Sequence, residues 1–212
     1  ALTVRFERVS MNRNWGWSAY RLGLFSLSAG TIERLYRNHY KPDLVRKGRA
    51  DLLPWEIDLE RGRVRLKEPV SGRVKLEFPA RPMLGCLGVA PPADQAITSA
   101  ISGPYGGNMD YNEVGEGATL YLPVFRQGAL LMLGDGHALQ ADGEPTGTGV
   151  ETSMDVQLTV NLRKGAAPAG PRLENDEYIV SIGSQPEFVS ALDHTLKLAT
   201  TDMADWLSSE YK

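Results

Sequence analysis

The residues of this chain that could do chemistry lie in three nearby stretches: Gly106-Gly107-Asn108-Met109-Asp110, the run from Gly134 to Glu144, and Glu151. Asp135 and His137 stand two apart, so in an extended segment both side chains leave the same face. Asn108 with Asp110, and Asp142 with Glu144, repeat that relation. An imidazole and a carboxylate on one face, with further carboxylates close by, suit a hard or borderline cation such as zinc. Glycines at 134, 136 and 143 let the backbone bend around a small ion or let a substrate approach. The same residues admit a plainer reading. Asp135-Gly136 and Asp142-Gly143 are common hairpin-turn pairs, with His137 a histidine on a surface loop. Asp110, Asp135, Asp142 and Glu144 would also suit a structural calcium in a non-enzymatic β-sandwich binding module. His137 discriminates, because imidazole adds little to a calcium site and suits zinc.

Other candidates carry less. Cys86 is the single cysteine, which excludes an internal disulfide and a cysteine-based metal cluster. Its apolar surroundings, Met83 to Val89, predict a buried and unreactive thiol. His39 and His194 fall in a polar loop and on a helix, where surface positions are expected. Trp15 and Trp17 would line a ligand pocket or, more often for tryptophan, pack in a core. A net charge of −3 with 23 scattered basic residues gives nucleic-acid binding no support. No run approaches the roughly 20 apolar residues of a membrane-spanning helix. No GxGxxG, GxxxxGK[ST] or GxSxG motif is present, which argues against nucleotide and serine-hydrolase chemistry.

The elements that must position the site are mostly short strands. Val64–Leu66 and Val74–Phe78 alternate with period two, punctuated by Gly62, Gly72 and Pro79. The stretch 31–49 is less regular and has room for a helical turn, and 91–118 is a Pro-, Gly- and Ser-rich loop. Strands are predicted over 119–125 and 129–133, joined by a turn at 126–128. Another is predicted over 153–162, with Met154, Val156, Leu158, Val160 and Leu162 on one face. A linker (164–171), a strand (178–182) and an amphipathic helix at about 187–208 follow. The helix would bury Phe188, Leu192, Leu196, Ala199, Met203 and Leu207. The expected fold is mainly β, with antiparallel sheets packed as a sandwich or barrel and one C-terminal amphipathic helix. The composition divides the chain into a β-rich, barrel-like part (1–90), a β-sandwich core with the site loops (91–164) and a small α/β part, incomplete at its C-terminus (165–212).

Five blocks in order resemble one family. Gly106–Asp110, Leu120–Phe125, Gly128–Leu130, Gly134–Glu144 and Gly147–Glu151 are similar to the acetamidase/formamidase family, as are Gly88–Pro92 and Trp15–Trp17. The likeness is dense over about 80–162; Ala141 departs from it, standing where a glycine is expected. The resemblance implies hydrolysis of a short amide, formamide or acetamide, to its carboxylate and ammonia, on jelly-roll and barrel-like β pieces. A related amidase acting on a larger or cyclic amide is the second enzymatic option.

The expected chemistry needs no nucleophilic side chain. A divalent metal, zinc before calcium, is expected on Asp110, Asp135 and His137. Glu144 or Glu151 would carry the proton. Gly106, Gly107, Asn108 and Gln140 are the expected substrate-binding residues, with the glycine N–H groups facing an oxyanion. The expected partner is a small amide, with neither nucleic acid nor membrane, in a cytoplasmic homo-oligomer. Ala1 to Val9 alternates like a strand and carries no secretory signal. The helical pattern at the other end has no stop signal, and the family resemblance implies flanking sequence. The strand at 2–9 is therefore expected to pair within a sheet completed by a segment outside this chain or by a neighbouring subunit. The apolar surface of Trp206 and Leu207 is likewise expected to need cover from outside.

Overall fold

Alternating apolar residues build the first strand, β1 (Leu2–Met11), which buries Leu2, Val4 and Phe6 on one face. The protein is described here by a computed structural model covering residues 1–19, 52–68, 72, 73, 75–145, 147–165, 167–185 and 192–211. His39, the stretch 31–49, Val74 and Phe188 lie outside the described residues. The further strands are β2 (Trp15–Ala19), β3 (Leu52–Asp58), β4 (Arg63–Leu66), β5 (Glu77–Pro79) and β6 (Met83–Gly88). They are followed by β7 (Gly106–Asn108), β8 (Thr119–Leu122), β9 (Met132–His137), β10 (Met154–Leu162), β11 (Arg172–Glu174) and β12 (Ile179–Ser181). A single described helix, α1 (Leu192–Glu210), closes the order. The fold is mainly β and antiparallel, as expected, and among the described residues no sheet closes into a barrel.

The residues form two compact units that interleave along the chain. One comprises Ala1–Val9, Leu84–Asp135 and Val156–Lys212; the other comprises Ser10–Met83 and Gly136–Asp155. The first unit holds a five-stranded sheet ordered β10-β1-β8-β11-β12. Here β1 runs antiparallel to β8, with Leu2 opposite Leu122 and Val4 opposite Leu120, and all four side chains are buried. Strand β1 lies within this sheet with a neighbour on each side, β10 and β8. The ladder of β8 ends at Leu122 rather than at residue 125, because Pro123 has no N–H to donate.

Helix α1 also departs from the expected apolar stripe. Leu192 and Leu196 are exposed, while Asp202 and Trp206, one turn apart on the same face, are buried. Arg172 grips Asp202 with two nitrogens, Nε to Oδ2 at 2.7 Å and an η-nitrogen to Oδ1 at 2.9 Å. Ser181 and the Ala169 N–H donate to the same carboxylate. Trp206 lies under the Arg172 guanidinium at 4.9 Å and meets the edge of Tyr121 at 5.9 Å. Trp206 is thus covered from within the chain, against expectation.

The second unit holds the sheet β2-β3-β4-β5, over a small core of Ile57, Val64, Ala138 and Val150. A third sheet is ordered β7-β6-β9. It overturns one local expectation. Ala129 and Leu130, expected in a strand, form a turn with φ of 57° and 54°. The glycine-rich segment from Gly134 to His137 is strand, in line with the extended reading of Asp135 and His137. Propensity loses to context there: β6, buried along its whole length, offers an edge on which even a glycine-rich segment pairs.

Candidate functional site

In the second unit the site is a short ladder. Glu151 exchanges backbone hydrogen bonds with Trp17, donating at 2.7 Å and accepting at 3.1 Å, and also bridges to His137. On either side, Ala138 donates to Val150 at 2.8 Å and Thr152 donates to Gly136 at 2.8 Å. The Glu151 side chain therefore leaves a backbone fixed on two edges. Gly16 permits this approach, since a Cβ there would stand 2.7 Å from the Glu151 carbonyl oxygen.

His137 is fully buried, and each ring nitrogen faces a polar partner. Its Nε2 lies 3.1 Å from Glu151 Oε1 and 4.0 Å from Glu144 Oε1. Its Nδ1 lies 2.8 Å from Gln140 Oε1. Glu144 reaches in from a tight turn, with φ of 42°. The N–H of Gly149 donates to Glu151 Oε1 at 3.0 Å. The structure thus brings His137, Gln140, Glu144 and Glu151 together around one imidazole. Gln140, expected to bind substrate, lies against the ring, and Asp142 is exposed.

Gly149 was not singled out by sequence reasoning. A Cβ there would stand 2.7 Å from His137 Cγ, so only glycine admits the ring in its present place. The run Gly147-Thr148-Gly149 directly before an acidic residue was the available signal. Gly149→Ala is expected to push the imidazole away from Glu151, a displacement that a structure of the variant would show. A ring left in its present place in that variant would show that the site tolerates a side chain there.

The first unit carries the other expected residues. Asn108 donates from its side-chain amide to Asp110 Oδ2, and Asp110 takes the left-handed conformation at φ 46°. Its N–H and that of Met109 both donate to Gly85, each at 3.0 Å. Gly106 and Gly107 pair with Gly88 and Leu87, and an added Cβ would stand 2.4 Å from a carbonyl oxygen at each, that of Leu87 at Gly106 and that of Ile101 at Gly107. The Gly106 N–H already donates to Gly103 at 3.0 Å, so its single hydrogen is engaged. Asp135 lies at φ 62° and lines an open recess of about 370 Å³ with Cys86, Ser99, Asn108 and Met132. Burial, then the charges of Asp135 and Asp110, push the Cys86 thiol up, so its reactive thiolate form is disfavoured. Trp15 is half exposed under the Arg13 guanidinium rather than in a core, and His194 is exposed as expected.

Residues 89–192 match the Acetamidase/Formamidase family. Three solved structures align over nearly the whole chain. A recombinant predicted acetamidase/formamidase of Thermoanaerobacter tengcongensis is 31% identical, with a TM-score of 0.72, covering 98% of this chain and 59% of that one. An acetamidase of Yersinia enterocolitica is also 31% identical, with a TM-score of 0.72, over 99% of this chain and 58% of that one. Over residues 89–192 the chain is similar to the acetamidase/formamidase family, and the two 31% identical structures extend the likeness over the rest of it. An acetamidase of Bacillus halodurans is 28% identical, with a TM-score of 0.71, over 99% of this chain and 61% of that one. The chain spans about three fifths of the length of these solved relatives. Comparison with curated protein sequences gives no match. The acetamidase/formamidase segment contains Gln140, Glu144, Gly149 and Glu151 as well as His137. No helix among the described residues is long and apolar enough to cross a membrane.

Proposed function

We propose that this chain supplies the site of a metal-dependent amidase that hydrolyses formamide or acetamide to carboxylate and ammonia. The observation that carries the reading is the buried contact of His137 Nε2 with Glu151 Oε1 at 3.1 Å, inside a segment of acetamidase/formamidase sequence. A buried imidazole with two glutamates around one nitrogen is a donor set that fits a divalent cation. The nitrogen favours zinc over calcium. His137 with Glu144 or Glu151 would hold it, and Asp110 and Asp135 are further ligands on the strength of the sequence. When bound, such a cation supplies Lewis-acid polarisation of the amide carbonyl and activation of water.

The chain's own residues do the rest. Glu151, fixed by the Gly149 N–H, takes the proton of the attacking water as the new C–O bond forms. It returns that proton to the nitrogen as the C–N bond breaks, and ammonia leaves. Glu144, the other glutamate beside the ring, shares the acidic work or serves as a ligand. The reading places the activity in the cytoplasm and in a homo-oligomer.

The experiment is ammonia release from formamide and acetamide before and after treatment with a chelator. Release that stops with the chelator and returns with zinc is the expected result. Release unaffected by thorough metal removal would overturn the metal, and no release from either amide would overturn the substrate class.

A further inference from the structure

We infer that Gln140 is a positioning residue that fixes His137 with its proton on Nδ1 and its lone pair on Nε2. A carboxamide oxygen can only accept, and Gln140 Oε1 lies 2.8 Å from Nδ1 inside the protein. The ring nitrogen facing it must therefore donate. The other nitrogen faces Glu151 Oε1, which already accepts from the Gly149 N–H. In the neutral ring the one proton lies on Nδ1, and Nε2 presents its lone pair towards two carboxylates, the arrangement that receives a proton or a cation.

Two further features hold the ring to that choice. Gly149 stands beside the ring, where an added Cβ would come within 2.8 Å of Nδ1, so the imidazole keeps this place only against a residue without a side chain. Gln140 is itself buried on the short connection between His137 and Glu144, so its amide has little freedom to swing away. The assignment differs from a substrate-binding role because Gln140 acts on the reaction only through the histidine. Its kinetic part rests on the amidase reading above; its structural part does not.

The test is nitrogen NMR of the protein labelled with ¹⁵N-histidine, with the His137 signals identified by their loss in His137→Ala. The expected spectrum shows a His137 ring protonated at Nδ1 and unprotonated at Nε2. Gln140→Leu should release that preference into a mixture of tautomers. Gln140→Glu keeps an acceptor oxygen and should retain the proton on Nδ1, and it also serves if the leucine variant folds poorly. If amide turnover is measurable, Gln140→Leu should lower kcat by about 10–100-fold with little change in KM, the scale of lost support to a working histidine. A wild-type ring protonated at Nε2, or a tautomer unmoved in Gln140→Leu, overturns the inference. Absence of amidase activity with the expected spectrum would count against the proposed function and leave the positioning role standing.

Discussion

Glu151→Gln is expected to lower amide turnover by about 10²–10⁴-fold, the usual contribution of a general acid–base group. The substitution is close to isosteric. Glutamine keeps an oxygen to accept from the Gly149 N–H, and the backbone exchange with Trp17 is untouched. What it loses is the ability to take and return a proton. The unfolding midpoint should therefore stay near that of the parent while ammonia release falls. His137→Ala should also stop the reaction, but it is a less clean probe. Its ring is fully buried, so removal leaves a cavity as well as a missing imidazole. Near-full turnover in Glu151→Gln, together with loss in Glu144→Gln, would move the proton-carrying role to Glu144.

The second large effect is structural and sits far along the chain from His137. Asp202→Ala leaves the Arg172 guanidinium buried without its carboxylate. Breaking such a pair by removing one partner costs about 3–5 kcal/mol. For a chain of this size each kcal/mol moves the midpoint by roughly 2–4 °C, so a fall of about 10 °C is expected on thermal unfolding. The pH dependence follows from the same contacts. Burial alone would raise the Asp202 carboxyl, yet hydrogen bonds from Arg172 and Ser181, the Arg172 charge and the Ala169 N–H hold it below its ordinary value of 3.8. A carboxyl depressed in the folded state contributes stability above its unfolded value and loses it as pH falls through the folded one. The stability gap between the parent and Asp202→Asn should be constant near neutrality and shrink only in acid below pH 3.8. A gap that widened in acid would contradict the contacts described.

Much of this was legible in the sequence, and the misses have physical causes. Period-two alternation found β4 and β10 to within a residue or two, because half-buried strands must alternate. The site cluster was found by residue type, and its glutamates and histidine do lie side by side. What stayed hidden depended on partners distant in sequence. Nothing local shows which strand Gly134–His137 pairs with, since that partner is β6. Nothing local shows that Gln140 faces a histidine or that Gly149 must lack a side chain. The helix was misread for the opposite reason: its leucines suggested the buried face, and an aspartate matched to Arg172 claimed that face instead.

The double pairing of Glu151 sets an order of assembly. A chain emerging from the ribosome presents its N-terminal part first, at roughly 5–20 residues per second. Strands β2 to β5 can pair as soon as Pro79 is free, since their registers involve only residues 15–79. Trp17 then keeps one edge open until Glu151 has been made, and joining residues so far apart is the slow kind of contact. The histidine and the glutamate therefore meet late, on a sheet that has already formed. A nascent chain would hold a finished scaffold for some seconds before it held a working pair.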